Sequence, residues 1–444
     1  MVRKGKIEGR IDSNTYHPER TRIIHRLKET NWELKPLKLV AKFSKNIVSQ
    51  NSENLPYVGL ENIESDIGFY VETSERESFG SAVKFHKGQV LFPKLRPYLN
   101  KVYLAEFEGL CSTEFHILDC KTIDNRYLAH FLRSNLVVNQ TKYLMSGNTL
   151  PRLQTSDIKN LLIPILPKET QAKIVALFEA AYAQKRAKEA EAKALLAGID
   201  GYLLNALGIS LPQPTEKKKF FYTRSGKVSS GRFDPYYHQS EFEEFERALR
   251  SGKYKMQKMK NVAYFQAGYA FNSNDYVEKS DCYLVTIKNI LKNEINLENS
   301  TYLPKVFFDK LPIFQIKKND LLIAMTGATI GKVGLFNSDK KALLNQRNGI
   351  IRSNNLNYLY LMSLLNTEIY QKFILRNSNG GAQPNISETD IMKIQIPLPP
   401  LAVQTEIANH IAEIRSKAKQ LEQEAKAGLD QAKKEVEAMI LGDV

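Results

Sequence analysis

Apolar residues recur at three- and four-residue spacing over two long proline-free stretches, and this pattern predicts two long helices. In the first, 168–207, the apolar positions are Ile174, Phe178, Ala181, Ala192, Leu195, Ile199 and Ala206. In the second they are Ile407, Ile411, Ile414, Ala418, Leu421, Ala425 and Met439. Pro164 and Pro167 precede the first stretch and Pro397, Pro399 and Pro400 the second. Proline suits a helix start and not its interior, so these residues fix where each helix can begin. A helix of that length runs roughly 60 Å at ~1.5 Å per residue. Elsewhere short β-like runs (89–92, 320–324, 349–352) alternate with Gly, Asn, Ser and Pro turns, while 127–139 and 358–373 read as helices.

The pattern occurs twice because the chain is a tandem duplication. At an offset of 233, Pro151 falls on Pro384, Asp157 on Asp390, Pro164 on Pro397, Pro167 on Pro400, Gln171 on Gln404 and Ile174 on Ile407. Further upstream the offset shrinks, as loop insertions require. Tyr127-Leu128 meets Tyr360-Leu361 at 233, Lys101-Val102 meets Lys332-Val333 at 231, and Asn62-Ile63 meets Asn289-Ile290 at 227. At 222, Gly9-Arg-Ile-Asp12 meets Gly231-Arg-Phe-Asp234 and Val40-Ala-Lys-Phe43 meets Val262-Ala-Tyr-Phe265. One fold is used twice. The expected class is α+β: a tandem duplication of a mixed α/β domain followed by a long helix, with the two helices packing as an antiparallel coiled-coil-like spacer. The expected boundaries are 1–166 and 231–396 for the mixed domains, 167–208 and 397–444 for the helices, and 209–230 for the linker.

Charge narrows the function. The 444 residues carry 63 Lys and Arg against 48 Asp and Glu, a formal net charge of +15. Residues 168–208 hold six basic and five acidic groups and 401–444 hold six and eight, so the helices total −1 and the remainder +16. The mixed domains are therefore the polyanion-facing parts, and nucleic acid fits them better than a membrane, which would draw the charge onto an amphipathic helix. The longest apolar runs (161–166, 321–325) are far shorter than the ~20 residues that span a bilayer, and no apolar segment follows the basic N-terminus. Cys111, Cys120 and Cys282 make no disulfide framework or CxxC pair, so a cytoplasmic protein with reduced thiols is expected.

Catalytic motifs are missing. Leu398-Pro-Pro-Leu401 lacks the amide and the aromatic of an adenine methyltransferase motif. Thr326-Gly-Ala-Thr-Ile-Gly-Lys-Val333 imitates a phosphate loop with one residue too few between its glycines and a valine in place of the Mg²⁺-binding hydroxyl. The seven histidines have no ligand spacing, so no metal is expected.

Several segments together resemble the specificity subunit of type I restriction–modification systems. They are Leu95-Arg-Pro-Tyr-Leu-Asn-Lys101, Cys111-Ser-Thr-Glu-Phe115, Gly268-Tyr-Ala-Phe271, Thr326–Lys332, Gln346-Arg347 and the helix starts Ile163–Gln171 and Ile396–Gln404. The first half departs from the pattern, with Phe43-Ser-Lys-Asn-Ile-Val48 in place of Gly-x-x-Phe. The resemblance implies two target recognition domains, each reading half of a bipartite asymmetric site in double-stranded DNA. It implies helices that set the spacing and dock two methylation subunits, with S-adenosylmethionine bound by those partners. It also implies two motor-nuclease (restriction) subunits using ATP and Mg²⁺, and no cofactor or catalysis on this chain. The alternatives are a targeting subunit of a related methyltransferase system without the motor-nuclease, or a coiled-coil adaptor without DNA binding.

Lys and Arg neutralise phosphates, while Arg, Lys, Asn and Gln read base edges, and Gly/Pro-rich turns let such groups approach a duplex. The candidate DNA-binding residues are Lys94, Arg96, Tyr98, Asn100, Lys101, Asn148 and Arg152 in the first half. In the second they are Tyr269, Asn272, Lys288, Asn289, Thr326, Thr329, Lys332, Gln346, Arg347, Gln383 and Asn385. Tyr98 and Phe271 fit the core slightly better than a stack on DNA bases, and Thr113 and Glu114 fit equally a network at a strand end.

Overall fold

A computed structural model describes residues 15–49, 51, 54–73, 81–147, 149–212, 234–378 and 384–443. It divides into two compact units, 1–189 with 422–444, and 190–421, so the division falls inside both long helices.

In the first unit, strand Glu33–Pro36 pairs antiparallel with Leu162–Ile165 and brings the two ends of the mixed domain together. A four-stranded sheet runs in the order Ala41–Ser44, Phe115–Cys120, Val90–Pro93, Tyr103–Leu104. A second runs Ile47–Val48, Ala82–Phe85, Gly109–Ser112, Tyr57–Val58, the last pair being parallel. Strands whose burial is continuous, such as Val90–Pro93, are covered on both faces, which explains why they read as apolar runs without alternation.

The second unit repeats this plan. Met256–Lys258 pairs with Gln395–Pro397. A six-stranded sheet begins Tyr264–Ala267, Asn348–Arg352, Leu321–Ala324, Val333–Leu335, in the order of the first unit's equivalents. A four-stranded sheet contains Cys282–Val285, Lys341–Leu344 and Gln315–Ile316, with the first two parallel. The duplicated tyrosines explain part of this repetition: Tyr127 donates its hydroxyl to the Pro164 carbonyl (3.0 Å) and Tyr360 to that of Pro397 (2.8 Å), each fully buried.

The helices expected at 127–139 and 358–373 are each two helices. Asn125–Arg133 is followed by Asn135–Thr141, and Tyr358–Leu365 by Glu368–Asn377. Ser134 and Thr367 cause the break. Each takes an extended backbone conformation and turns its hydroxyl back onto a carbonyl three residues earlier, Phe131 (2.6 Å) and Leu364 (2.7 Å). Apolar periodicity does not sense such a cap.

The long helices are Lys168–Ala206 and Leu401–Leu441. Within the first unit Lys188 pairs with Glu424 (2.7 Å), and Ile174, Val175, Phe178 and Tyr182 share a core with Leu429, Val436 and Ile440. Within the second, Ala192 packs with Ala418 and Leu421, and Tyr202 lies on His410 (4.2 Å between ring centroids). As one helix number rises its partner's falls, so the pairing is antiparallel. Alanines at the seam let the backbones approach, and each helix's apolar stripe also joins the domain core of each unit: Ile174 and Val436 in the first, Leu203 and Ile411 in the second. No described helix is long and apolar enough to cross a membrane.

Candidate nucleic-acid interface

The duplication extends to individual hydrogen bonds where three turns meet at a sheet end. In the first unit the Lys94 N–H donates to the Glu114 carbonyl (2.8 Å), that of Arg96 to Pro151 (2.8 Å) and that of Leu153 to Lys94 (2.9 Å). In the second the Met325 N–H donates to the Arg347 carbonyl (2.9 Å), that of Gly327 to Pro384 (3.1 Å) and that of Ile386 to Met325 (2.9 Å). Leu95 bridges Arg152 just as Thr326 bridges Asn385. The left-handed positions correspond as well: Arg96 (φ 47°) with Gly327 (φ 73°), and Asn100 (φ 51°) with Gly331 (φ 79°). One backbone frame thus carries two different sets of side chains.

In the first unit this frame gathers Lys94, Arg96, Tyr98 and Arg152. Arg96 is exposed, Lys94 is half-buried, and Tyr98 is 47% exposed, so of its two readings the core is the one the structure excludes. The Lys101 Nζ donates to the Leu60 carbonyl (2.8 Å), so this ammonium holds a loop. Asn100 is withdrawn from the candidates. It is 5% exposed, and its Nδ2 donates to the Arg133 carbonyl (2.8 Å) and to Asp66 (3.1 Å), leaving no amide donor for a base. Asn148 lies outside the described residues.

Behind the turn stands His116, buried and within hydrogen-bond distance of Thr155 Oγ1 (3.2 Å). Burial, then the positive field of Lys94, Lys159 and Lys45, pushes it down to about 4, so the imidazole is neutral at neutral pH.

The second unit brings together Tyr269, Thr326, Thr329, Gln346, Arg347 and Asn385. The Tyr269 N–H donates to Leu344 (3.0 Å) and its carbonyl accepts from Gln346 (2.8 Å). Gly268 is required there, because a Cβ would lie 2.0 Å from the Asn345 carbonyl oxygen. Phe271 is core, as expected, packing with Cys282, Leu284, Leu303 and Leu343. Arg347 stands exposed at φ 67°, a conformation uncommon for a side chain of its size. Buried Asn348 stabilises this turn through its Nδ2, which donates to the carbonyls of Asn345 (3.1 Å) and Gln346 (3.4 Å). The Oγ1 atoms of Thr326 and Thr329 are buried without a hydrogen-bond partner among the described residues.

Other members of the set are placed differently. Lys288 is exposed on the loop whose Ile287 lies 3.7 Å from where a Gly327 Cβ would stand. Lys332 closes the Thr326 turn, its N–H on the Thr329 carbonyl (3.0 Å). Asn272 is exposed and caps the Ser273–Asp275 turn. Asn289 is withdrawn. It is 5% exposed, its Oδ1 accepts from the N–H and hydroxyl of Thr286, and its Nδ2 donates to Asn296 and Ser300. Gln383 lies outside the described residues. The Thr326 segment is followed by strand Val333–Leu335 and not by a helix, so it lacks the helix N-terminus that a phosphate loop needs.

Glu114, expected in a network at a strand end, is a functional residue absent from the candidate set. It holds Arg152 and occupies the place of Arg347, and carrying the 233 offset through Cys111–Phe115 would have found it. Among the described residues no group of three or more His, Cys, Asp and Glu is placed to hold a metal ion.

Comparison with known proteins adds the family. The family described as Type I restriction modification DNA specificity domain matches residues 29–196 and again 252–431. The Type I restriction enzyme MjaVIII specificity subunit of Methanocaldococcus jannaschii is 25% identical over 330 residues, covering 72% of this chain and 70% of its own. The Type I restriction enzyme EcoDI specificity subunit of Escherichia coli is 29% identical over 117 residues, 26% of each chain. Among solved structures, a chain from work on complex assembly and conformational transition of the type I R-M system has the same fold. It has a TM-score of 0.56 at 18% identity and covers 92% of this chain and 96% of its own.

Proposed function

The chain belongs to the type I restriction modification DNA specificity domain family, and from that premise we propose that each duplicated domain reads one half of a bipartite, asymmetric target in duplex DNA. The chain is a DNA-recognition subunit and does no chemistry itself. The observation that carries the division of labour is the shared frame. The same three backbone hydrogen bonds present Arg96, Glu114 and Arg152 in one domain and Gly327, Arg347 and Asn385 in the other. Equal frames with unequal side chains suit two readers of unequal sequences.

In this reading the long helices set the unread gap between the half-sites and dock two methylation subunits. S-adenosylmethionine on those partners supplies the methyl group for adenine N6, and two motor-nuclease subunits bring ATP and Mg²⁺. The complex works in the cytoplasm, where its DNA is. The MjaVIII and EcoDI relatives are named as subunits of restriction enzymes, which supports a multisubunit assembly. The excess of +16 outside the helices favours DNA over a purely protein adaptor.

Mapping modified bases in the host genome, with and without this gene, tests the proposal. It predicts a split asymmetric motif with one fixed gap that disappears with the gene. A continuous motif, or an unchanged pattern, overturns it.

A further inference from the structure

Arg152 is held in a fork. Its Nε donates to Glu114 Oε2 (3.3 Å) and its Nη2 to Oε1 (3.0 Å), so the carboxylate occupies the Nε/Nη2 edge of the guanidinium. Both backbones are pinned. The Glu114 N–H donates to Ser112 Oγ (3.3 Å) and its carbonyl accepts from Lys94, while Arg152 and Ser146 exchange both backbone hydrogen bonds (2.9 Å each). A guanidinium has five donors. Two go to Glu114, and the other three have no partner among the described residues, on a side chain that is 47% exposed. The open edge, Nη1 and Nη2, is a pair of parallel donors, and such a pair matches O6 and N7 of guanine in the major groove.

An exposed ion pair adds little to stability, so holding the fold together is a poor account of this one. Orienting the guanidinium plane is a better one. We propose that Arg152 reads a guanine in the half-site of the first domain and that Glu114 is its positioning residue, fixing which edge faces the base. This rests on the reading of the turn cluster as the DNA-facing surface. The same two places in the second domain hold Asn385 and Arg347. There the cation stands where Glu114 stands, so that domain presents its guanine reader from the other turn and an adenine-type amide from Arg152's place.

The test uses the full chain with its methylation partners in the host, reading the methylated motif. Arg152→Ala and Glu114→Ala should both relax the same single position of the first domain's half-site. Discrimination there should fall roughly ten- to hundredfold, and the other half-site should stay intact. The double variant should be no worse than Arg152→Ala, and Arg152→Lys should not rescue, because an ammonium has no fork. Thermal unfolding of Glu114→Ala should match that of the wild type, which separates positioning from a structural role. A probe that needs no variant is 7-deazaguanine, placed in turn at each guanine of that half-site. One substitution should weaken wild-type binding several-fold and leave Arg152→Ala unaffected. Variants that keep the full motif, relax different positions or relax both half-sites overturn the assignment, as does indifference to every 7-deazaguanine. If the wild-type motif is itself independent of the gene, the reading of the whole chain fails instead.

Discussion

Gln171 and Gln404, 233 residues apart, clasp the starts of the two long helices with the same pair of hydrogen bonds. Each Oε1 accepts a backbone N–H at the start of a domain helix, that of Asp124 or Asn357 (2.9 Å in both). Each Nε2 donates to a carbonyl just before the long helix, that of Leu166 (2.8 Å) or Pro399 (2.9 Å). Both side chains are buried. Gln171→Leu leaves two backbone groups unsatisfied and should cost about 2–4 kcal/mol in urea unfolding, and Gln404→Leu a similar amount. Losses below about 0.5 kcal/mol would mean that water replaces the amide.

His116 makes the first domain sensitive to acid. Its folded value of about 4 lies below the ordinary 6.5, so the unfolded chain binds the extra proton first. Stability from this group is full above pH 6.5 and is lost as the pH falls from there through 4, by up to about 3 kcal/mol. His130, also buried and held well below its ordinary value, adds to the same trend. His116→Gln should flatten the pH dependence of the unfolding midpoint between 6.5 and 4 without abolishing it. An unchanged slope would show that the imidazole titrates normally.

Much of this was legible in the sequence because repetition is a strong signal. Coinciding prolines located the helix starts, and the basic excess pointed to DNA. Burial of single polar residues was not legible. Asn100 and Asn289 look like turn residues available to a ligand, yet Asn100 is consumed by the distant Arg133 and Asp66, and Asn289 by Thr286, Asn296 and Ser300 of its own loop, whose inward fold composition does not reveal. The breaks at Ser134 and Thr367 were missed for a related reason, since one hydroxyl cap leaves the apolar pattern intact. Glu114 read as part of a network at a strand end, but its partner Arg152, 38 residues further on, was not legible.

The helices as a ruler make a separate prediction. Lys188 faces Glu424, so four residues inserted at 189–193 and four more at 420–424 add one turn to each helix in register, about 6 Å. The methylated motif should keep both half-sites and gain one or two base pairs in the gap. An unchanged gap with activity retained would assign the spacing to the partner subunits.

The most direct measurement is a domain exchange. Residues 10–160 are replaced by the equivalent domain of a relative with a different target, and the methylated motif is mapped. Two independent readers predict that one half-site changes to the relative's and the other stays the same. A motif in which both halves change, or neither, would contradict the account.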